Sequence, residues 1–295
     1  MLYNRQRGQD SFERYTLNLC RYPKVTKMTI IPECFYDRVW DHWEEVRDAN
    51  LCGRNFVIRD KIPLPYFGNI SAFMKSPKRI VTVAINPNDD VFESTRTETR
   101  LSADETERRL SAYFDERQKE RNLPSWFNNY KHILEGMEST YLGEYDSNQN
   151  TAIHVDLCSP IATNPTWGTL YNEEKNLLSE PGMKLFSSLM DLLNPDVVLV
   201  SISVGAIERL WGAPANSNDD TWSVLTSFDR RGDGAPRSPV YKVKLKQLPK
   251  PNGPPTLIIY GAPFRGRPFG KITTQQRMKI GECVRARMDC HISQA

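Results

Sequence analysis

Residues 151–157 read TAIHVDL, and this stretch decides the predicted fold. Ile153, Val155 and Leu157 point to one face of a strand and His154 and Asp156 to the other, because strand side chains alternate. Similar apolar runs occur at residues 79–85 (RIVTVAI), 196–203 (DVVLVSIS) and 256–260 (TLIIY). Their density of Val, Ile and Leu predicts strands covered on both faces, as in a parallel sheet.

Helical stretches lie between these runs, so the pattern predicts an α/β fold. We expect three layers, with a central, mainly parallel, four-stranded sheet flanked by helices. Residues 1–28 are predicted to be a loose N-terminal arm and residues 29–295 a single domain. Residues 216–239 are rich in turn formers and are predicted to be an excursion from the core, followed by a strand at 242–246. Predicted helices cover residues 31–47, 102–120, 126–137, 182–193, 205–211 and 271–287.

The composition of the 295 residues is that of an ordinary globular chain, with 39% hydrophobic and 25% charged residues. The net charge of +3 permits nucleic-acid binding without demonstrating it, since local charge matters more than the total. The six cysteines form no C-x-x-C pair, which argues against zinc ribbons and iron–sulfur clusters. We therefore expect no metal and no organic cofactor. The chain has no long apolar run, so we expect a cytoplasmic protein without a membrane partner.

The turns after the strands are the places to look for chemistry, because ligands of parallel sheets bind beyond the carboxyl ends. Asn86, Asp89 and Asp90 follow the first run, where the residues fit a solvated turn or a group that orients water. His154 and Asp156 end the second run and need partners if buried. A structural hydrogen bond between them and a binding site explain them equally well. Gly205, after the third run, is explained by a tight turn alone.

The fourth strand is followed by the loop GAPFRGRPFG at residues 261–270. A solvated, proline-rich loop explains this composition. Interleaved basic and aromatic residues on a stiff loop also suit DNA binding, and we favour this interpretation. Arg265 and Arg267 are predicted to neutralise phosphates, and Phe264 to act as a wedge in the base stack.

These segments, in this order, resemble the uracil-DNA glycosylase superfamily over residues 63–270. Residues 65–68 (PYFG) and 84–87 (AINP) resemble its first motif, with Ala84 in place of the usual glycine. Trp126-Phe127, Gly136, Ser139, Tyr141 and the pieces HVDL and PIAT, at 154–157 and 160–163, are similar to a bacterial branch of the superfamily.

The resemblance implies an enzyme that flips a nucleotide out of DNA and breaks its glycosidic bond through an oxocarbenium-like state. Asn86 would position the attacking water. Asp90, or alternatively Asp89, would stabilise the cation or act as base. Tyr66 and Phe67 would stack on the base, which His154 and Asp156 would also contact. Thr163, with the arginines of the last loop, would contact DNA.

Two departures from the family pattern bear on the substrate. The last motif usually begins His-Pro-Ser, but here it reads Ala262-Pro263-Phe264, so the donor to the leaving base is missing unless His154 replaces it. Asp156 stands where uracil-removing members carry Asn, and a carboxylate accepts well from the N4 amino group of cytosine. Normal cytosine is excluded because its removal would destroy the host genome.

The predicted substrate is therefore a modified cytosine. The hypothesis is a bacterial anti-phage glycosylase acting on glucosylated hydroxymethylcytosine, with DNA as partner and no obligatory protein partner. Three alternatives remain: a repair glycosylase for uracil or another deaminated base, an inactive DNA-binding relative, and a nucleotide or small-molecule enzyme. The last is weakened because no Gly-rich phosphate loop follows any strand.

Overall fold

A computed structural model describes residues 29–51, 53–88, 96–114, 125–142, 150–212, 214 and 221–292. It confirms an α/β fold with a mainly parallel sheet flanked by helices. The main sheet has seven strands, so the prediction of four is wrong. The predicted arm, residues 1–28, lies outside the described residues.

Seven helices and nine strands are used below to locate the site. The helices are α1 (Glu33–Arg47), α2 (Ile70–Lys75), α3 (Ala103–Ser111), α4 (Ser125–Gly136), α5 (Asn172–Leu193), α6 (Val204–Trp211) and α7 (Thr274–Ile292). None of these helices is long and apolar enough to cross a bilayer. The strands are β1 (Asn50–Leu51), β2 (Arg54–Asn55), β3 (Ile80–Ala84), β4 (Ser139–Thr140), β5 (Asn150–Asp156), β6 (Val197–Val200), β7 (Ser223–Arg230), β8 (Pro236–Leu248) and β9 (Thr256–Gly261).

The four predicted strands are confirmed as the parallel centre of the sheet, in the order β5-β3-β6-β9. Thr82 of β3 lies opposite His154 of β5, and Ala84 lies opposite Asp156. All four strands are almost completely buried because helices cover both faces. Their carboxyl ends therefore meet at one edge, as the sequence predicted.

The edge of the sheet beyond β9 was predicted only in part, because the predicted strand at 242–246 lies within β8 but the segment before it was predicted wrongly. Residues 216–239 were expected to be an excursion, but β7 and the first part of β8 form an antiparallel hairpin there. Most of the hairpin is exposed, so its polar residues look like loop residues in the sequence. Pairing of β8 with β9 attaches the hairpin to the sheet, and this long-range pairing is invisible to local periodicity.

Helix α5 is longer than predicted because it continues through Pro181 instead of beginning after it. The next residue, Gly182, packs directly on the chain that follows β5. A Cβ atom there would lie 2.0 Å from the carbonyl oxygen of Cys158. The missing side chain thus lets the helix support the turn that follows His154 and Asp156.

Helices α4 and α7 are also held together by glycines. A Cβ atom on Gly136 would lie 2.1 Å from the Met278 carbonyl oxygen, and one on Gly281 would lie 2.1 Å from the Ile133 carbonyl oxygen. The two backbones are therefore in direct contact. This packing fixes α4, whose first turn carries Trp126 and Phe127 to the carboxyl edge of the sheet.

Candidate functional site

A cavity of about 600 Å³ opens at the carboxyl edge of the sheet. Its walls come from the ends of four parallel strands, β3, β5, β6 and β9, and from helix α4. The turns around residues 86–90, 154–167 and 261–267 were predicted to meet at one rim, and described residues of all three contribute to the lining. The contributing residues from the turns include Asn86, Asn88, His154, Asp156, Trp167, Pro263 and Arg265.

Aromatic rings form one wall of the cavity and surround His154. The ring of Phe67 is stacked on His154 with centroids 5.6 Å apart, and Trp126 and Phe127 meet it edge-on at 5.1 and 5.0 Å. Tyr113 lies 4.4 Å from Phe67. The backbones of Phe67 and His154 also exchange two hydrogen bonds, of 2.8 and 2.9 Å. The wall is therefore rigid and suited to a flat heteroaromatic ring.

His154 is held from one side and has little direct contact with Asp156. Its Nδ1 lies 2.8 Å from Thr82 Oγ1, which lies 2.7 Å from the hydroxyl of Tyr141. Its Nε2 lies 3.8 Å from Asp156 Oδ1, which is too long for a good hydrogen bond. The structural His–Asp hydrogen bond is therefore not formed, and both groups face the cavity.

Asp156 is a buried carboxyl, with 5% of the residue exposed. Burial raises the pKa of Asp156 because the ionised form loses its hydration, and the nearby His154 opposes this effect. A carboxyl that retains its proton is both a donor and an acceptor of hydrogen bonds. The raised pKa therefore extends the pH range over which Asp156 can donate as well as accept a hydrogen bond.

Asn86 lines the cavity with its amide held in one orientation. Its Nδ2 donates to the carbonyl oxygen of Ile161 at 3.0 Å and to Thr163 Oγ1 at 3.3 Å. A carbonyl oxygen only accepts, so the amide nitrogen must be on that side. Asn86 Oδ1 therefore keeps capacity to accept a hydrogen bond from a water molecule.

Thr163, which was predicted to contact DNA, is buried and is not accessible at the protein surface. The residue is 1% exposed, and its hydroxyl interacts with Asn86. The prediction took a hydroxyl in a loop as available to a ligand, but the segment folds back: Thr163 N donates to Pro87 O, and Asn164 N to Phe56 O. Thr163 is instead a positioning residue for Asn86.

Tyr66 does not reach the cavity either. Its hydroxyl lies 2.8 Å from the hydroxyl of Tyr36, which donates to Glu107 at 3.0 Å. Side chains alternate along an extended segment, so Phe67 faces the cavity and Tyr66 faces the opposite side. Tyr113, which was not predicted as a site residue, provides the second ring of the stacking wall.

The rim after β9 is a tight turn with exposed basic and aromatic groups. Phe264 N donates to Arg267 O and Arg267 N donates to Phe264 O, both at 3.0 Å. Gly266 has the left-handed conformation that this turn requires, with φ of 72°. Arg265 lines the cavity, whereas Arg267 and Phe264 lie outside it on the exposed surface. Asp89 and Asp90 lie outside the described residues.

Several residues around the cavity were missed by the sequence analysis. The end of β6 was given no role, yet Ser201 and Ser203 contribute to the lining. Ser201 Oγ also accepts a hydrogen bond from Phe269 N at 2.8 Å and so holds the loop after β9. The available signal in the sequence was the pair of serines after a fully apolar strand, which could have indicated polar groups at the carboxyl edge of the sheet. The other missed residues are Tyr113, Trp126, Phe127 and Trp167.

Comparison with protein-family models, curated proteins and solved structures gave no match. The resemblance to the uracil-DNA glycosylase superfamily therefore stays a prediction. The chemistry of the site rests on its own geometry: an aromatic wall, a buried carboxyl, an oriented amide and an arginine at the rim. This combination fits a planar ring attached to an anionic chain.

Proposed function

We propose that this protein is a DNA glycosylase that binds a flipped-out modified cytosine in the cavity and hydrolyses its N-glycosidic bond. One observation carries the proposal. The buried carboxyl of Asp156, whose pKa is raised, shares a cavity with an aromatic wall and with Asn86, and the two strands that carry Asp156 and Asn86 are neighbours. A nucleobase needs such a wall, and its release needs a proton donor and an oriented water.

Asp156 supplies the base recognition in this proposal. Its protonated oxygen donates to N3 of cytosine, which carries a lone pair, and its other oxygen accepts from the N4 amino group. Uracil carries a hydrogen on N3 and an acceptor at O4, so the carboxyl can bind it only with its proton on the other oxygen. Asp156 therefore fits a cytosine-type base when the oxygen that faces N3 carries the proton.

The same proton assists departure of the base. As the bond between C1′ and N1 breaks, its electron pair passes into the ring, and the proton of Asp156 moves to N3. The base then leaves as a neutral molecule. Water attacks C1′ and releases a proton, and the carboxylate of Asp156 is reprotonated from solvent. Proton donation at N3 compensates for the donor that is absent from the Ala262-Pro263-Phe264 loop.

Asn86 orients the attacking water through Oδ1, while its amide nitrogen is held by Ile161 and Thr163. A water held at the sugar converts the attack into an oriented step, which lowers its barrier. Asp90 stays the predicted group for stabilising the sugar cation, with Asp89 as the alternative.

The size of the cavity favours a substituted base. At roughly 30 Å³ per water-sized volume, about 600 Å³ holds roughly 20 such volumes. A bare pyrimidine fills much less than that. The remaining space accommodates a substituent on C5 as large as a glucosylated hydroxymethyl group. Trp167, at the cavity, offers an aromatic face to the apolar side of the sugar, and Ser203 and Thr166 offer hydroxyls.

The test is the identity of the bases that the purified protein releases. Four DNAs would be incubated with it: unmodified, uracil-containing, hydroxymethylcytosine-containing and glucosylated phage DNA. Mass spectrometry would identify free bases, and alkali would cleave abasic sites. We expect release of the modified cytosine and none of cytosine or uracil. Release of uracil with modified cytosine intact would establish the repair alternative, and DNA binding without any base release would establish the inactive one.

A further inference from the structure

The hairpin formed by β7 and β8 extends beyond the edge at which the cavity opens. Strand β9 ends at Gly261, which pairs with Val243 of β8. Residues 236–242 of β8 continue past that point and pair only with β7, as far as the Arg230–Pro236 pair. Strand β7 covers this stretch in the four residue steps from Thr226 to Arg230, so at about 3.4 Å per residue the hairpin projects roughly 14 Å beyond the last residue of β9.

The hairpin and the loop after β9 hold an excess of positive charge. Residues 223–244 and 261–277 contain nine of the 39 lysines and arginines but only two of the 36 acidic residues. Their net charge is therefore +7, against +3 for the whole chain, so the remaining residues carry a net −4. The weakly basic total thus conceals one strongly basic region.

Ion pairing separates the cations of this region from those in the rest of the described chain. Within the described part of the chain, none of the nine forms an ion pair with a carboxylate. Elsewhere pairing is common, as in Arg108–Glu105 at 2.7 Å and Lys78–Asp289 at 2.6 Å. Asp229 and Asp233 are the two acidic residues here, and Asp233 accepts from Ala235 N at 3.0 Å to shape the hairpin turn.

Contacts join the hairpin and the loop into one surface. Gln276 Nε2 donates to Arg230 O at 3.1 Å, and Tyr241 OH donates to Ala262 O at 2.8 Å. A Cβ atom on Gly232 would lie 2.7 Å from Thr273 Cγ2, so the hairpin turn also packs against the start of α7. The basic hairpin surface thus runs from the cavity rim to the hairpin tip. It consists of Arg230, Arg231, Arg237, Arg265, Arg267 and Lys271.

We propose that the basic hairpin surface binds the phosphates of DNA on one side of the flipped nucleotide. This proposal rests on the proposed function, because the cavity rim sets where the DNA lies. A strand carries one phosphate about every 3.4 Å, so a projection of roughly 14 Å spans about four nucleotides. Contacts to phosphate position the DNA without reading its sequence. The surface therefore supplies affinity and register, while the cavity selects the base.

The test compares two triple variants with the same change in charge. Arg230→Ala/Arg231→Ala/Arg237→Ala removes three cations of the hairpin, none of which lines the cavity. Arg38→Ala/Lys184→Ala/Arg287→Ala removes three exposed cations from α1, α5 and α7. Binding of an unmodified duplex of about 30 base pairs would be followed by fluorescence anisotropy over a salt series.

We expect the hairpin variant to bind roughly 10- to 100-fold more weakly, with a salt slope smaller by up to about three, at about 0.9 per phosphate contact. The control variant should match the wild type in DNA affinity and in salt slope. On a second duplex that carries a single modified cytosine, shortening one flank of that base to about three base pairs should abolish the difference, and shortening the other flank should not. Equal affinities and slopes for the two variants would overturn the proposal. If the triple hairpin variant does not fold, Arg231→Gln is compared with Arg38→Gln.

Base release separates this proposal from the proposed function. The hairpin variant should need a higher DNA concentration than the wild type to reach half of its maximal single-turnover rate of base release, whereas the control variant should match the wild type. If no protein releases a base but the hairpin variant still loses DNA affinity, the glycosylase assignment fails and the basic hairpin surface stands. If bases are released and the hairpin variant binds DNA like the control, the glycosylase assignment stands and the proposal for the basic hairpin surface fails.

Discussion

Two cavities of nearly equal size contrast within this protein, one of about 600 Å³ at the carboxyl edge of the sheet and one of about 580 Å³ between α5, α6 and the β8–β9 turn. The first contains the buried pair His154 and Asp156. The second contains Asp191, which is an exposed residue, and Lys250, which is paired with Asp196 at 2.9 Å. Volume therefore does not identify a site here. Buried titratable groups at the strand carboxyl ends do.

The aromatic residues also distinguish the two cavities, because they form a packed cluster only around the first. Around the first, Phe67, Tyr113, Trp126 and Phe127 pack on one another and on His154. In the second, Phe186 and Trp211 are 6.1 Å apart and border a groove along β6 and β9. Only the first has the rigid wall and polar groups that a nucleobase requires.

The largest effect is expected from Asn86→Ala. Loss of the oriented amide oxygen should lower the single-turnover rate of base release roughly 100- to 1000-fold, because the attacking water is no longer positioned. DNA affinity should not change. Asn86→Asp is the matched variant: it keeps an oxygen but loses the donor to Ile161 O, and we expect an intermediate rate. A wild-type rate for Asn86→Ala would remove Asn86 from the mechanism.

Asp156→Asn should lower release of the modified cytosine about 100-fold, since the proton donor is lost. In the wild type the pKa of Asp156 is raised, so the rate should fall as pH rises through that pKa and the proton is lost. The variant should lack this descending limb. A pH profile of kcat for both proteins checks this, together with an assay for uracil release, which an amide favours. If the rate of the variant still falls as pH rises, that descending limb belongs to the titration of another group.

The same substitution should stabilise the protein at neutral pH. A folded-state pKa above the ordinary carboxyl value means that the native state binds the proton more tightly than the unfolded state. Stability from this group is then present at low pH and is lost as pH rises above about 4. The melting temperature of Asp156→Asn should therefore exceed that of the wild type at pH 7 and approach it at pH 4.

Trp167→Ala is expected to have a smaller and more selective effect. An aromatic contact contributes about 0.5–1.5 kcal/mol, so release of the glucosylated base should fall up to about tenfold. Release of hydroxymethylcytosine without the sugar serves as the internal control and should not change. Competition between the two DNAs in one reaction measures the ratio. An equal decrease in base release from the glucosylated and the unglucosylated DNA would show that Trp167 contacts the base or the DNA rather than the sugar.

The smallest effect is expected from Asp191→Asn, which makes the same carboxyl-to-amide change in the second cavity. Base release should equal that of the wild type. Burial also raises the pKa of Asp191, so a small increase in melting temperature at pH 7 is expected, less than for Asp156→Asn because Asp191 is more exposed. A loss of base release like that of Asp156→Asn would locate the chemistry in the second cavity.

The sequence was most informative where one segment alone carries the signal. Runs of Val, Ile and Leu located the parallel strands, and the rule for strand ends led to Asn86, His154 and Asp156. The sequence was least informative where an element depends on contact with a segment that is distant in the chain. The β7–β8 hairpin depends on β9 for its order, and the long α5 contains a proline that usually ends a helix. Local periodicity in the sequence predicts neither the pairing of the hairpin with β9 nor the continuation of α5 through its proline.

The sequence by itself determined that this is an α/β protein with polar side chains after its buried strands. Only the tertiary structure decided what those side chains can do. It turned Tyr66 away from the cavity, buried Thr163 behind Asn86, and assembled the aromatic wall from residues 67, 113, 126 and 127. The reason is physical. Strand and helix preferences depend on neighbours in the chain, whereas burial, pKa shifts and cavities depend on groups that folding brings together from distant segments.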